Sequence, residues 1–215
     1  MNTRLKIAHR GYAYNCKENT MEAFQQAVNK DFDMIEMDIQ LCKDNKIVIY
    51  HDTYLGTEMI EDLTFEAIQQ NNPDILSLYE FFDLFDYKSI PLILDLKGAD
   101  HLALILCTFI IQNKIDTTNI YFASFNGNHL EFLSILSLKV GYLCENKLDI
   151  QMIDYILTKH NPSFFAFSWT NIDMEQIHYI HSHYKLVFSY TVENKTISKY
   201  LNNLQLDGFI SNILL

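Results

Sequence analysis

The chain has 215 residues, of which 49% are hydrophobic, and no Pro-, Gly- or Ser-rich linker divides it, so we expect a single domain over residues 1–215. Its formal net charge of -11, from 16 Lys and Arg against 27 Asp and Glu, disfavours nucleic acid as a partner but does not exclude a small phosphate substrate. The longest apolar run, Leu102 to Ile111, is too short to span a bilayer, and the first strand begins too early for a secretory signal to precede it, so we expect a cytoplasmic protein without a transmembrane segment.

Short apolar runs rich in β-forming residues recur along the chain, with segments of helical periodicity between them. The runs predict eight strands: Leu5 to Ala8, Met34 to Ile39, Pro91 to Leu96, Ile120 to Ser124, Lys139 to Leu143, Phe164 to Ser168, Leu186 to Thr191 and Gly208 to Ser211. The intervening segments predict seven helices: Thr20 to Asn29, Leu78 to Phe85, Ala99 to Asn113, Asn128 to Leu136, Asp149 to His160, Asp173 to His183 and Lys195 to Asn203. Asn19 and Glu22 are expected to form a capping box on the first helix.

The alternation of strands and helices indicates a parallel sheet, and eight such units favour a closed (β/α)8 TIM barrel, an α/β fold, over an open sheet. A ninth strand-like run, Ile47 to Tyr50, follows the second strand closely and predicts a β-hairpin. With Asp44-Asn45 as a two-residue turn, antiparallel pairing sets Asp38 opposite His51. We expect residues 52–89 to form an insertion at the barrel mouth, with a short helix from Phe65 to Gln70.

Charged side chains gather where the predicted strands end, and the same residue types serve in phosphate-ester chemistry. Glu36 and Asp38 are two residues apart on a strand, so they point to one face and can share a divalent cation. An arginine can bind a phosphoryl group with two hydrogen bonds, and histidines exchange protons near neutral pH. Because the active site of a parallel barrel lies at the carboxyl ends of its strands, the candidates are His9, Arg10, Glu36, Asp38, His51, Asp95, Lys97, Ser124, Tyr190, Thr191, Glu193 and Asn194.

The other six histidines fall on predicted helices or at helix ends. We expect solvent-exposed positions for all of them: His101, His129, His160, His178, His181 and His183.

Four sequence motifs occur in a fixed order near the start of the chain. They are His9-Arg10-Gly11, where the glycine permits a sharp turn, Glu18-Asn19-Thr20, Glu36-Met37-Asp38 and His51-Asp52. Looser matches continue at Asp95-Leu96-Lys97, Ser124-Phe125, Tyr190-Thr191 and Asp207-Gly208. In these motifs and their spacing the chain resembles the glycerophosphodiester phosphodiesterase family over nearly its whole length.

The resemblance implies a TIM barrel that hydrolyses a glycerophosphodiester to glycerol 3-phosphate and an alcohol, with one divalent cation, Mg2+ or Ca2+ and also Mn2+, as the cofactor. It implies a metal site of Glu36, Asp38 and Asp95. It further implies that His9 and His51 act as general acid and base, while Arg10 and Lys97 hold the phosphate. Substrate-binding roles follow for Arg10, Lys97, Glu18, Ser124 and Tyr190.

The chain departs from the family pattern at four positions. Asp95 stands for a glutamate, Gly56 for an arginine, Tyr190 for a tryptophan and Asn212 for an acidic residue. The alternatives are therefore a lysophospholipid substrate, a nucleotide- or sugar-linked glycerol phosphate, and a catalytically silent barrel that binds a phosphorylated ligand. For a lysophospholipid, an apolar rim of Tyr54, Phe81, Phe82 and Phe85 is expected.

Overall fold

The computed structural model describes residues 4–214, in which strands and helices alternate along the chain. In order they are β1 (Leu5–Ala8), α1 (Met21–Asn29), β2 (Met34–Leu41), β3 (Ile47–Ile49), β4 (Tyr54–Leu55), β5 (Glu58–Met59), a 3-10 turn (Ile60–Asp62), α2 (Phe65–Asn71), α3 (Leu78–Leu84), β6 (Leu92–Leu96), α4 (Leu102–Asn113), β7 (Ile120–Ser124), α5 (Gly127–Ile135), β8 (Lys139–Cys144), α6 (Ile150–His160), β9 (Phe164–Ser168), α7 (Met174–Ser182), β10 (Leu186–Val192), α8 (Lys195–Leu201) and β11 (Gly208–Ser211). Each of the eight predicted strands is present. None of the helices within residues 4–214 has the length and apolar content needed to cross a membrane.

Eight parallel strands close into a barrel. They follow one another in chain order, β1, β2 and then β6 to β11, and the ring closes because β1 pairs with both β2 and β11. β3 adds to the sheet as an antiparallel neighbour of β2. The predicted TIM barrel, with a hairpin and a short helical insertion after the second barrel strand, is therefore confirmed.

The inner face of the barrel changes from apolar to polar along β6. Ile7 and Ile93 belong to the apolar cluster inside the barrel, whose base includes Phe164 and Phe188 with ring centroids 4.8 Å apart. Two residues beyond Ile93, on the same face, Asp95 lines a cavity at the mouth. Polar groups therefore collect at one end of the barrel, above an apolar floor.

Helix α3 occupies a place in the ring of helices around the barrel. Phe81 packs edge-on against Phe24 of α1, with centroids 5.2 Å apart, and Phe82 lies 6.1 Å from Phe109 of α4. Phe81 and Phe85 are buried in the core between sheet and helices. The inserted part of the chain thus ends before Leu78, earlier than the expected residue 89, and these phenylalanines do not form an exposed rim.

The predicted register of the hairpin is wrong by one residue. β2 and β3 pair Ile39 with Ile49, and the Tyr50 N–H donates to the Asp38 carbonyl oxygen at 3.1 Å, so Tyr50 rather than His51 lies opposite Asp38. A two-residue type I′ turn needs positive φ at both positions. Here only Asn45, with φ 58°, has a positive φ in the loop, and a three-residue loop results.

The inserted segment packs on its own small core beside the barrel mouth. Val48, Ile60, Leu63, Phe65 and Ile68 are buried together there. β4 and β5 form a two-stranded sheet that the sequence did not indicate. This packing fixes the 3-10 turn next to the loop that carries His51.

Helix α1 begins differently from the prediction. Thr20 is its N-cap, and its hydroxyl accepts a hydrogen bond from the Ala23 N–H at 3.3 Å. Asn19 instead adopts a left-handed conformation with φ 56°. The predicted capping box is wrong, and the Asn19 side chain does not cap the helix.

Two histidines expected at the surface are buried. His129 is 1% exposed, and its ring contacts the Ser124 hydroxyl at 2.9 Å and the Ala99 carbonyl oxygen at 3.0 Å. His160 is 4% exposed at the end of α6. Helical periodicity alone did not indicate that these two histidines are buried. Burial of His129 is tolerated because polar groups on neighbouring elements form hydrogen bonds with its ring.

Candidate active site

Three carboxylates meet at the mouth of the barrel. The parallel pairing of β2 with β6 sets Asp38 beside Asp95, and Glu36 lies two residues before Asp38 on the same face. One oxygen from each of the three side chains lies within 4.8 Å of the other two, and all three side chains are buried. Burial, together with mutual repulsion, raises the pKa of Glu36 well above its usual value.

This carboxylate cluster fits a hard divalent cation. Oxygen ligands are those that Mg2+ and Ca2+ prefer. Asp95 Oδ1 is buried and accepts no hydrogen bond from residues 4–214. Burial also raises the pKa of Asp95 to about 7, against the opposing effect of Lys97. A cation between Glu36, Asp38 and Asp95 would ligate the orphaned oxygen and offset the repulsion.

Lys97 and Arg10 partly neutralise the cluster. Lys97 Nζ lies 2.5 Å from Asp95 Oδ2 and 3.3 Å from Asp38 Oδ1, and Arg10 Nε lies 3.1 Å from Asp38 Oδ2. Asn19 Nδ2 donates to the same Asp38 oxygen at 2.9 Å. Although burial opposes it, these partners hold the pKa of Asp38 below its usual value. Asp38 is therefore an anion at neutral pH even before a cation binds.

The turn after β1 places Arg10 over this cluster. Arg10 and Gly11 have φ values of 57° and 75°, and a Cβ on Gly11 would lie 2.7 Å from the carbonyl carbon of Ala23, so only glycine fits there. The backbone N–H of Arg10 donates to Glu36 Oε2 at 2.9 Å, and Nη1 of the Arg10 side chain donates to Glu18 Oε1 at 2.6 Å. Arg10 Nε is buried beside Asp38 and forms no well-aligned hydrogen bond within residues 4–214.

The two histidines at the mouth have different partners. His9 Nδ1 contacts Asn212 Oδ1 at 2.6 Å, whereas His51 Nδ1 contacts Asp52 Oδ1 at 2.7 Å. Burial lowers the pKa of His9 to about 4, and the neighbouring Arg10 adds to this effect. His9 is therefore a neutral imidazole near pH 7.

A cavity of about 140 Å³ joins most of the predicted site residues. Its walls include His9, Arg10, Glu36, Asp38, His51, Asp95, Lys97, Tyr190 and Thr191. The Tyr190 hydroxyl donates to the Cys144 carbonyl oxygen at 2.7 Å, and burial raises its pKa, so it stays protonated.

Four predicted residues do not reach this cavity. The Ser124 hydroxyl is buried and donates to the Leu96 carbonyl oxygen at 2.9 Å. Glu18 contacts Arg10 and stays outside the lining, as does the exposed Glu193, while Asn194 caps α8. Ser124 thus supports the loop that follows β6 rather than a ligand in the cavity.

Two further residues belong to the site. Asn19 holds Asp38, as described above, and lies within the second sequence motif. Phe125 lines the cavity, with Lys97 Nζ 5.1 Å from its ring centroid and the Tyr190 ring 5.9 Å away. The Ser124-Phe125 match to the family pattern was a signal at this position, but Ser124 rather than Phe125 was taken as the candidate site residue.

Comparisons with known proteins agree on one family. The family model described as the glycerophosphoryl diester phosphodiesterase family matches residues 9–214. An uncharacterized protein of Mycoplasma genitalium is 32% identical over 196 residues, which cover 80% of this chain and 79% of that protein. A glycerophosphodiester phosphodiesterase of Caldanaerobacter subterraneus is 34% identical over 111 residues, 44% of this chain and 46% of that one.

Solved structures share the fold. A phosphodiesterase of Oleispira antarctica, in complex with the product sn-glycerol-3-phosphate, has a TM-score of 0.85 at 21% identity and covers 97% of this chain and 92% of its own. A putative glycerophosphodiester phosphodiesterase of Galdieria sulphuraria has a TM-score of 0.86 at 22% identity, and the match covers 98% of this chain and 94% of that one. At these identities the likeness establishes the barrel.

Proposed function

The chain belongs to the glycerophosphoryl diester phosphodiesterase family, a family of phosphoric diester hydrolases, and from that premise we propose that it hydrolyses a glycerophosphodiester to glycerol 3-phosphate and an alcohol. The observation that carries the proposal is the convergence of three carboxylates, two cations and two histidines on one cavity. Such groups are costly to bury unless they are paired or used. The pairing of β1 with β11 also supports our proposal that residues 1–215 act as one domain.

Glu36, Asp38 and Asp95 are the residues that would hold the divalent cation, for which we propose Mg2+ or Ca2+, with Mn2+ as a further candidate. When bound, the cation supplies polarisation of the phosphoryl oxygens. Asp95 is one methylene shorter than the glutamate of the family pattern. In the paired strands β2 and β6 it lies beside Asp38, which supports its place among the residues that would hold the cation.

Arg10 and Lys97 would bind the phosphate of the substrate. Both side chains line the cavity and both face Asp38. The Arg10 guanidinium lines the cavity, and a guanidinium can donate two parallel hydrogen bonds to phosphoryl oxygens. A phosphoryl group placed there lies between the two cations and above the carboxylate cluster.

The partners of the histidines favour different roles. His9 is neutral near pH 7 and is suited to accept the proton of the attacking hydroxyl or water. His51 donates through Nδ1 to Asp52, which orients the ring and leaves Nε2 to protonate the departing alkoxide. We propose His9 as the general base and His51 as the general acid.

Neither a lysophospholipid nor a silent barrel gains support from the geometry. An apolar rim for an acyl chain was expected from Tyr54, Phe81, Phe82 and Phe85. Phe81 and Phe85 are buried and Phe82 packs against Phe109, so only Tyr54 is exposed. A silent barrel would have no need for an orphaned carboxylate oxygen on Asp95.

The proposal is tested by measuring glycerol 3-phosphate release from choline, ethanolamine, glycerol and nucleotide-linked glycerophosphodiesters, with and without a chelator. We expect release from at least one diester that stops on chelation and returns with added Mg2+, Ca2+ or Mn2+. If the folded protein in these cations releases nothing from any diester, the proposed activity is wrong.

Asn212→Asp is expected to shift the pH dependence of hydrolysis. A carboxylate at the His9 Nδ1 contact favours the protonated ring, and an opposite charge so close raises a histidine pKa by about one unit or more. Because a protonated His9 cannot act as a base, the acidic limb of the kcat/KM profile should move to higher pH. Asn203→Asp, an exposed change of the same chemistry away from the mouth, is the control and should leave the limb in place. An unmoved limb in Asn212→Asp would exclude His9 as the base.

A further inference from the structure

A second cavity, of about 350 Å³, adjoins the first. His51 and Lys97 line both cavities. Together the two cavities therefore extend from the carboxylate cluster, past His51, to the inserted segment. The polar residues of its lining are Gln40, His51, Asp52, Thr53, Glu61 and Lys97. Asp52, Thr53 and Glu61 come from the inserted segment, which thereby forms one wall beside the site.

Gln40 presents a hydrogen-bond acceptor to this cavity. Its side chain is 6% exposed, and its Nε2 donates to the carbonyl oxygens of Tyr50, at 2.8 Å, and Asp52, at 3.0 Å. Because both partners are acceptors, the amide cannot be reversed, and Oε1 must point away from them. Within residues 4–214 no donor reaches that oxygen. A buried side chain therefore offers an unpartnered acceptor at the cavity wall.

Carboxylate groups in the lining provide further hydrogen-bond acceptors. Asp52 and Glu61 carry carboxylates, and both residues are exposed to the cavity's solvent. Two cations belong to the lining as the structure describes it, Lys97 and the proton-donating form of His51. Both are already paired, Lys97 Nζ with Asp95 and Asp38 and His51 Nδ1 with Asp52, whereas Glu61 has no ion-pair partner within residues 4–214. A ligand here meets hydrogen-bond acceptors and negative charge, so hydrogen-bond donors and positive charge are favoured.

We propose that this second cavity is the subsite for the leaving alcohol and that it accepts a small alcohol with a primary ammonium group, as in ethanolamine. The inference rests on the proposed function. Water adds to phosphorus and gives its proton to His9, the P–O bond to the alcohol breaks, and His51 protonates the departing oxygen. Since His51 lies on both cavities, the alcohol is released into the second one while glycerol 3-phosphate stays in the first.

The same lining disfavours two other leaving groups. A quaternary ammonium, as in choline, has no N–H donor and is recognised mainly by aromatic rings. The part of the lining that the structure describes contains no Phe, Tyr or Trp. Among the lining residues of the described chain, Leu41 and Ala99 are the apolar side chains that an acyl chain could contact. The subsite is therefore selective for the primary ammonium.

The test compares kcat/KM for glycerophosphoethanolamine, glycerophosphocholine and glycerophosphopropanol, in which a methyl group replaces the ammonium. We expect the ethanolamine diester to exceed the propanol diester by about five-fold, the upper range for exposed ion pairs, and to exceed the choline diester as well. Glu61→Gln should reduce the ethanolamine-to-propanol ratio by about two-fold or more. Asp62→Asn, the neighbouring acid that does not line the cavity, should leave the ratio as it is.

The outcomes separate the subsite from the activity. Equal kcat/KM for all three diesters, a preference for the choline diester, or a ratio that Glu61→Gln does not lower would overturn the subsite while the phosphodiesterase activity stands. No hydrolysis of any of the three by the cation-supplied protein would overturn the proposed function, and the subsite with it.

Discussion

His51→Ala is expected to lower kcat for glycerophosphodiester hydrolysis by about 10²-fold or more, the usual effect of losing a general acid. The variant should unfold at nearly the wild-type temperature. His51 is partly exposed, and among residues 4–214 its ring hydrogen-bonds only to the adjacent Asp52, so little packing is lost. The measurement is steady-state release of glycerol 3-phosphate, with a thermal melt of the same preparation.

A matched control for this variant is His178→Ala, which removes an exposed histidine from α7, far along the chain from the mouth. It should have wild-type kcat. Added imidazole should restore part of the lost activity to His51→Ala, because the vacated space connects to solvent through the second cavity. Wild-type turnover in His51→Ala would exclude the role proposed for this residue.

Glu36→Gln should abolish cation binding and lower turnover by about 10²-fold or more, since the bound cation contributes several kcal/mol to transition-state stabilisation. An amide replaces the carboxylate without a change in shape. The variant should fold at least as stably as the cation-free wild type, because the pKa of Glu36 is already raised by burial and by its acidic neighbours. The Arg10 N–H can still donate to the amide oxygen.

The readout for Glu36→Gln is the thermal shift caused by Mg2+, Ca2+ or Mn2+. For the wild type, a cation at about 100 times its Kd adds about 2.7 kcal/mol to the free energy of unfolding. Glu36→Gln should show no shift, whereas Glu22→Gln, an exposed change on α1, should shift like the wild type. A wild-type shift in Glu36→Gln would mean that the cation binds somewhere other than the carboxylate cluster.

The barrel could be predicted from the sequence because its strands are short apolar runs, separated for the most part by segments long enough for a helix. β2 is the informative case. All eight of its residues are buried, yet Glu36 and Asp38 interrupt the apolar pattern on one face. Acidic side chains in a fully buried strand are tolerated only where paired or coordinated, so the pattern indicated both the strand and the carboxylate cluster.

The parts that could not be predicted depend on turn geometry and on contacts between distant segments. One positive φ, at Asn45, decides the hairpin register, and the local sequence is compatible with a two- or a three-residue loop. Asn19 resembles a helix cap in sequence, but its amide bonds to Asp38 on another strand. His129 is buried because Ser124 and Ala99 provide hydrogen bonds that lie on other elements.

The position of α3 illustrates the same limit. In the sequence, the residues between β3 and β6 form one long connection. The helix predicted from Leu78 to Phe85 carries no local sign of whether it belongs to the insertion or to the ring of helices. The boundary is set by aromatic packing of Phe81 on Phe24 and of Phe82 on Phe109. Those contacts join residues more than twenty positions apart in the sequence, and a local sequence pattern cannot predict contacts at that separation.

The most direct test of the proposed activity is a phosphorus NMR time course of glycerophosphoethanolamine with the protein and Mg2+ or Ca2+, repeated with a chelator. We expect the diester signal to be replaced by that of glycerol 3-phosphate at a rate proportional to protein concentration, and we expect the chelator to stop the conversion. A diester signal that stays unchanged with folded, cation-supplied protein, or that declines equally with the chelator present, would contradict it.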